Sequence, residues 1–494
     1  MGPLILLCAV GGVVVLDYSI VFVAIPSIQA DLAVAPAVTP WLANSYALAF
    51  GALLLLGGRL GDHLGRRRVL LAGLGLFTAS SLALALAPDV TTFVAGRVVQ
   101  GVGAALLAPA ALALLTVIHP TGPARTRAVG AYGAVAGAAG AAGTLLGGAL
   151  TQLASWHWAF LINVPLGIAA VALTPRLLPA DGPVPDLRRV LARLDLPGAV
   201  TVTAGLFATV LGITGLEHAG LGSAETLVPL AVGLALIAVF LVVEHRAAHP
   251  LMPLSIFRLR GVAVGNGTYL IVGAGTFGAL FLLSLYFQQV RGYDALVAGL
   301  AVLPLAVGSL LASAVAAYAV GRFGTRSTVV AGFGALAVGL LMLSGIGPTS
   351  PYATTVLPGE LVTAVALGLV VVPLTAMATD DVPPDRAGLA SGLFSTAQEL
   401  GGALGLAVLT AVAGAVARHG VERGVGPLDA QVAGLRIAFQ VAAGLAAAAM
   451  AVAWFVGPRA PVPVTARATG SPRTRPTPDG GRRGGRTRRG RSRR

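Results

Sequence analysis

The chain reads as an all-α membrane protein of fourteen spans, built as two six-helix bundles with two helices inserted between them. Three observations predict this: apolar runs long enough to cross a bilayer, a one-sided distribution of arginine, and a faint internal repeat. Of the 494 residues 56% are hydrophobic and 11% charged, where a soluble domain carries about 25% charged residues. Mean hydropathy is +0.86. The surrounding medium is therefore mostly lipid. A net charge of +14 would suit a nucleic-acid partner, but twelve of the 33 basic residues lie beyond Gly457, with Asp479 the single acid there. The charge belongs to a tail, and nucleic acid is not expected. Every basic residue is arginine, which stays charged at any depth. Cys8 is the single cysteine, so an intramolecular disulfide is excluded.

At about 20 residues per span, the spans fall near 4–26, 40–60, 69–87, 91–115, 128–152, 158–175, 197–216, 226–244, 262–287, 296–320, 328–346, 354–378, 387–416 and 434–456. With the N-terminus inside, sixteen arginines lie on cytoplasmic segments before the tail. Only Arg291, Arg418, Arg423 and Arg436, the last at the outer edge of its span, fall outside, and Arg97 alone stands deep within a span. That asymmetry predicts a multi-pass protein of the cytoplasmic membrane with both termini cytoplasmic. Leu146-Gly147-Gly148-Ala149-Leu150 in span 5 recurs as Leu400-Gly401-Gly402-Ala403-Leu404 in span 13, an offset of 254. Gly65-Arg66-Arg67 is echoed by Gly324-Thr325-Arg326, an offset of 259. Both imply a shift of eight spans. The expected organisation is a first bundle at 1–175, a linker at 176–196, the inserted pair at 197–244, a linker at 245–261, a second bundle at 262–456, and a tail at 457–494. The tail is rich in Pro, Gly and Arg without apolar periodicity. It is expected to be disordered and to cling to anionic lipid.

Span 1 carries Asp17 about nine residues from its outer end, roughly 13 Å deep. An ionised carboxylate is costly there unless paired or facing water. It serves either proton coupling or cation binding, or else a structural hydrogen bond to a neighbouring helix. Arg97 in span 4 lies at matching depth. It either pairs with Asp17, so that protonation weakens the link and permits rocking, or snorkels to the outer headgroups. Between spans 2 and 3 a short charged loop runs Gly57-Gly58-Arg59-Leu60-Gly61-Asp62-His63-Leu64-Gly65-Arg66-Arg67-Arg68. Its arginines hold it on the cytoplasmic side, and Asp62 suits a helix N-terminus.

In span 5 glycine recurs at Gly133, Gly137, Gly140, Gly143 and Gly147, followed by Gly148, which lays a smooth face along the helix for close packing. Trp156-His157-Trp158 opens span 6 as an interfacial anchor. Glu399 stands near the bilayer centre in span 13. It is either a second protonatable site or cation-attracting wall, or a protonated acid satisfied by a neighbour.

Taken together these segments resemble the Major Facilitator Superfamily. The loop order Gly58-x-Leu60-Gly61-Asp62-His63-x-Gly65-Arg66-Arg67 is similar to its signature between spans 2 and 3. Leu16-Asp17-Tyr18-Ser19 through Pro26 resembles the first span of the fourteen-helix drug:proton antiporters, with Phe22 in place of the usual asparagine. Arg97-Val98-Val99-Gln100-Gly101, the glycines of span 5, and Trp156 through Gly167 match further motifs of that group. So do Pro250-Leu251-Met252-Pro253 and Tyr286-Phe287-Gln288-Gln289. The resemblance implies a major facilitator fold and export of small amphiphilic organic compounds, drugs or antibiotics, in exchange for protons. It also implies a conformational latch in which Asp62, supported by Gly58, Gly65, Arg66 and Arg67, docks near Arg386 and Gly388 at the start of span 13. The glycine stripe is linked in the family to antiport. Uptake of a small metabolite within the same superfamily is the alternative. No cofactor, metal cluster or catalytic constellation is expected, and the chain is expected to act as a monomeric secondary transporter rather than an enzyme.

Overall fold

The computed structural model describes residues 1–35, 38–119, 122–183, 186, 190, 194–220, 222–379, 382 and 387–455. Among them fourteen helices are long and apolar enough to cross a membrane. They are α1 (Gly2–Asp31), α2 (Trp41–Leu64), α3 (Arg66–Ala85), α4 (Val90–Ile118), α5 (Gly122–Leu153), α6 (His157–Leu177), α7 (Leu196–His218), α8 (Ala224–Arg246), α9 (Arg260–Leu285), α10 (Ala295–Phe323), α11 (Thr325–Leu343), α12 (Leu357–Thr379), α13 (Ala387–Glu422) and α14 (Pro427–Phe455). The arginine-rich ends of the helices carry Arg59, Arg66–Arg68, Arg176, Arg246 and Arg322, and the opposite ends are arginine-poor.

Sequence explains where the helices start. Asp89, Asp195 and Asp294 each accept a backbone N–H three residues on, from Thr92, Gly198 and Val297, all at 2.8 Å. These are N-caps that satisfy one of the free donors of a first turn. At Asp89, outside the spans, hydrogen bonds from Thr92 hold the carboxyl below the usual carboxylate range. The helices run longer than hydropathy alone suggests. Span 14 begins at Pro427 rather than near 434, because a proline first turn and the polar Asp429 and Gln431 are compatible with helix but not with an apolar window.

The segment expected as a loop between spans 2 and 3 is a correction of the same kind. α2 continues to Leu64 and α3 begins at Arg66, so Asp62 sits in a last helical turn. The chain reverses on Gly65 alone, at φ +105°, where a side chain would be strained and would also strike Asp181. Gly324 does the same between α10 and α11 at φ +81°. The two echoed tripeptides are thus the same turn in the two halves.

α1 packs on α5, α2 on α4, and α3 on α4 and α6, while α9 packs on α13, α10 on α12, and α11 on α12 and α14. These are two six-helix bundles of matching connectivity. The repeated pentapeptide makes the match concrete: a Cβ at Gly147 would stand 2.8 Å from the Ile20 carbonyl of α1, and one at Gly401 would crowd the Leu270 carbonyl of α9. The halves meet along two seams, α2 with α13 and α5 with α10. α7 and α8 pack on each other, and α7 lies against both α2 and α13, with Leu206 and Val210 buried beside Ala47, Leu48, Ala403 and Ala407.

Candidate functional site

A polar cluster is sealed inside the first bundle. Asp17 on α1 and Arg97 on α4 are fully buried and form an ion pair, with Arg97 Nη1 2.9 Å from Asp17 Oδ2. The other carboxylate oxygen accepts from Gln100 Nε2 at 2.9 Å and from Asn163 Nδ2 at 2.6 Å. Arg97 Nη1 also donates to Gln100 Oε1 at 2.6 Å, and Gln100 Nε2 donates to Ser81 Oγ at 2.9 Å. Beside these bonds the guanidinium lies over the Tyr46 ring, 4.3 Å from its centroid. Five helices therefore contribute to the cluster: α1, α4 and α6 at the carboxylate itself, α3 through Ser81 and α2 through Tyr46.

The helical register makes the cluster. Arg97 and Gln100 are three residues apart and share a face, while Ser81 reaches in from α3, which packs on α4, and Asn163 from α6, which packs on α1 and α3. Two amide donors and one cation around a buried carboxylate answer most of its desolvation cost. Arg97 Nε and Asn163 Oδ1 are left without partners among the described residues. The sequence pointed to Asp17 and Arg97 by their charge. It did not single out Gln100, Asn163, Ser81 or Tyr46, whose signal is weaker: neutral polar side chains within apolar spans.

Glu399 is built differently. It stands on α13 at the α2–α13 seam, where a Cβ added at Gly51 would come within 2.9 Å of the Glu399 Cβ. Among the described residues its carboxyl has no hydrogen-bond or ion-pair partner. It lies within electrostatic reach of Tyr18, Tyr46 and Tyr269. The neighbouring Gln398 accepts from the Tyr269 hydroxyl at 3.2 Å. Tyr18 in turn packs edge-on against Phe277 of α9, with centroids 4.7 Å apart. The Asp17–Arg97 cluster and Glu399 thus flank a boundary of aromatic rings between the halves.

The residues expected to form a latch are brought together only in part. Asp62 is exposed and accepts from Arg66 Nη2 at 3.1 Å within its own turn. Arg386 lies outside the described residues. The partner found for the loop is Asp181, just after α6: it accepts the backbone N–H groups of Arg67 at 3.2 Å and Arg68 at 2.8 Å. The Arg67 and Arg68 guanidinium groups reach the carbonyls of Leu178 and Gly182. Gly58 is in ordinary contact with Pro109 of α4.

The glycine stripe of α5 serves two neighbours instead of one. Gly140, Gly143 and Gly147 face α1, Gly137 and Gly148 face α10, and Gly133 has nothing nearby. The helix is wedged between its own bundle and the other, so small residues are needed on both sides. Trp156 is buried and donates to Asp31 Oδ2 at 2.8 Å, while Trp158 is half exposed. His157 stacks on the Trp156 ring at 3.8 Å. The expected lipid contact of the tail lies outside the described residues, and no cluster of metal-ligating side chains occurs among the described ones.

The comparisons with known proteins agree with this architecture. The profile of the Major Facilitator Superfamily matches residues 7–406. The cephamycin export protein CmcT of Amycolatopsis lactamdurans is 44% identical over 413 residues, 83% of this chain and 84% of that one. The puromycin resistance protein pur8 of Streptomyces alboniger is 37% identical over 463 residues, 91% of this chain and 90% of that one. A peptide transporter of the POT family, solved as a point mutant in complex with alafosfalin, shares the fold: TM-score 0.67 at 14% identity, over 92% of this chain and 94% of that one. With two six-helix bundles, an inserted pair and a profile match over most of its length, the chain belongs to the Major Facilitator Superfamily and is a multi-pass membrane transporter.

Proposed function

We propose that this protein exports small amphiphilic organic compounds, antibiotics among them, across the cytoplasmic membrane in exchange for protons, with the arginine-rich end and both termini cytoplasmic. The observation that carries the reading is the buried Asp17–Arg97–Gln100–Asn163 cluster. A carboxylate held by a cation and two amides is stable while ionised. Protonation removes the ion pair and loosens α1 from α4 and α6, so proton binding and helix packing are coupled. Glu399, without a partner among the described residues across the ring boundary, supplies a negative wall for cationic cargo or a second proton site.

The names of the relatives, cephamycin export and puromycin resistance, support export over uptake. So does the close packing of the α5 glycines at the α5–α10 seam. One positive charge moving inward across 100 mV releases about 2.3 kcal/mol, enough for one or two protons per cycle to sustain a useful gradient. In this state the side-chain hydrogen bonds between the two bundles lie at the arginine-poor end, which suits a state closed toward the outside. Asp62 then bonds within its own turn, and its docking near Arg386 belongs to the opposite, outward-open state.

Everted vesicles containing the protein test this reading. They should accumulate puromycin only when the interior is acid, and Asp17→Asn should abolish the accumulation. The reading fails if no compound in a panel of antibiotics and dyes accumulates, or if collapsing the proton gradient leaves accumulation unchanged.

A further inference from the structure

Beyond the ring boundary, at the arginine-poor end, a cavity of about 350 Å³ lies between the halves. It is bordered by Gln29 and Thr39 of the first half and by Phe281, Gln289, Thr410 and Gln431 of the second. The volume falls in the range of ligand pockets, roughly 300–1,000 Å³. Its walls are neutral. No charged side chain is among its lining residues; of the charged residues in flanking segments, Asp31 accepts from Trp156, Arg291 donates to the Pro348 carbonyl, and Arg436 donates to the Ser344 carbonyl.

Three amides line one side in a chain. Gln431 Nε2 donates to Gln289 Oε1 at 2.7 Å, and Gln289 Nε2 donates to Gln29 Oε1 at 3.3 Å. This leaves the Gln29 amide NH2 and the Gln431 carbonyl as a donor and an acceptor without a protein partner among the described residues. The floor is apolar: Phe281, Leu282 and Leu285. Phe281 faces Phe22 at 6.2 Å, and Phe22 and Tyr18 both face Phe277, so one column of rings leads from beside Glu399 to this floor.

We propose that this cavity is an exit site for uncharged, ring-bearing amphiphiles that present both a hydrogen-bond donor and an acceptor. The inference deepens the export reading by assigning a class of cargo to a second site on the same path. The central site offers buried charge, and the outer one offers only amides, hydroxyls and an apolar floor. A cation gains nothing there to replace its hydration shell, whereas a neutral ring compound satisfies the two open amide groups and covers Phe281.

Equilibrium binding of radiolabelled chloramphenicol, a neutral aromatic amide, to the purified full-length protein tests the site. Gln431→Leu keeps the volume and removes the amide, and should weaken binding about fivefold, the worth of one hydrogen bond. Ala413→Phe fills the cavity and should abolish binding, with a monodisperse gel-filtration peak showing that each variant is folded. As a second readout, Ala417→Cys in a Cys8→Ala background should react with a membrane-impermeant maleimide more slowly in the presence of chloramphenicol, and puromycin should give weaker protection. Unchanged affinity in both Gln431→Leu and Ala413→Phe, absence of protection at position 417, or no chloramphenicol binding to the natural protein would overturn the proposal. Failure of puromycin accumulation in vesicles would sink the export reading while leaving this binding result standing, so the two failures are distinguishable.

Discussion

Asp17 and Glu399 are two carboxyl groups in one apolar interior with opposite surroundings, and the contrast yields separate predictions. Asp17 is fully enclosed and accepts from Arg97, Gln100 and Asn163. Asp17→Asn leaves Arg97 charged, buried and unpaired, which should cost about 3–5 kcal/mol of stability. Asp17→Asn with Arg97→Gln removes both charges and should recover most of the loss in thermal unfolding, yet should still fail to move puromycin with protons. Equal stability of the single variant and the natural protein would mean that the ion pair contributes nothing. Glu399→Gln breaks no pair. It should keep the fold and weaken binding of cationic puromycin about tenfold, well within what an opposite charge at about 4 Å supplies in a protein interior. A binding constant unmoved by Glu399→Gln would remove Glu399 from the cargo path. Asp17 and Arg97 were legible in the sequence because isolated charges at matching depth in lipid demand partners. Gln100, Asn163 and Ser81 were not, since a neutral polar side chain in a span bonds its own helix as readily as another.

Among the helices, α5 separates glycines needed for packing from glycines that are not. A Cβ at Gly143 would stand 2.7 Å from Ser19 Cβ and 2.8 Å from the Leu16 carbonyl of α1, whereas Gly133 has open space. Gly143→Ala should therefore destabilise by about 1–3 kcal/mol, the usual cost of overpacking. Gly133→Ala should be neutral or slightly stabilising, because alanine is the better helix former. Comparable losses in the two variants, measured by thermal unfolding, would show that the spacing rather than the contact matters. The spacing of the glycines predicted one face, but it could not reveal that a helix lodged between two bundles must be small toward both. A similar limit hid Asp181. It caps α3 by accepting the Arg67 and Arg68 amides, yet it lies 114 residues from Arg67 in the chain, within a stretch read as a plain linker. Asp181→Ala should cost about 1 kcal/mol, as for a lost N-cap, and should free the turn that carries Asp62.

At the scale of the whole molecule, the fourteen spans were readable because bilayer thickness fixes their length, and the pairing of halves because a repeat survives at two places. The state of the molecule was not readable, since it depends on contacts between residues some 260 positions apart. Ser284 Oγ donates to the Phe22 carbonyl at 3.1 Å, Gln288 Nε2 to the Val23 carbonyl at 3.0 Å, and Gln289 Nε2 to Gln29 Oε1 at 3.3 Å. The three bonds tie α1 to the end of α9, where a π-helical turn at Tyr286–Val290 carries both glutamines. Among the described residues no other side-chain hydrogen bond joins the two bundles. If the bundles rock about the buried cluster, this end must part once per cycle, and three neutral bonds of about 1 kcal/mol each are weak enough to break and re-form. Bridging Gln29→Cys to Gln289→Cys with a short thiol cross-linker, in a Cys8→Ala background, should hold this end closed. Puromycin should then still bind from the arginine-rich side but no longer cross the membrane, and cleaving the bridge should restore transport. Transport that continues across the intact bridge would show that cargo leaves by some other route than between α1 and α9, and the rocking account would have to be abandoned.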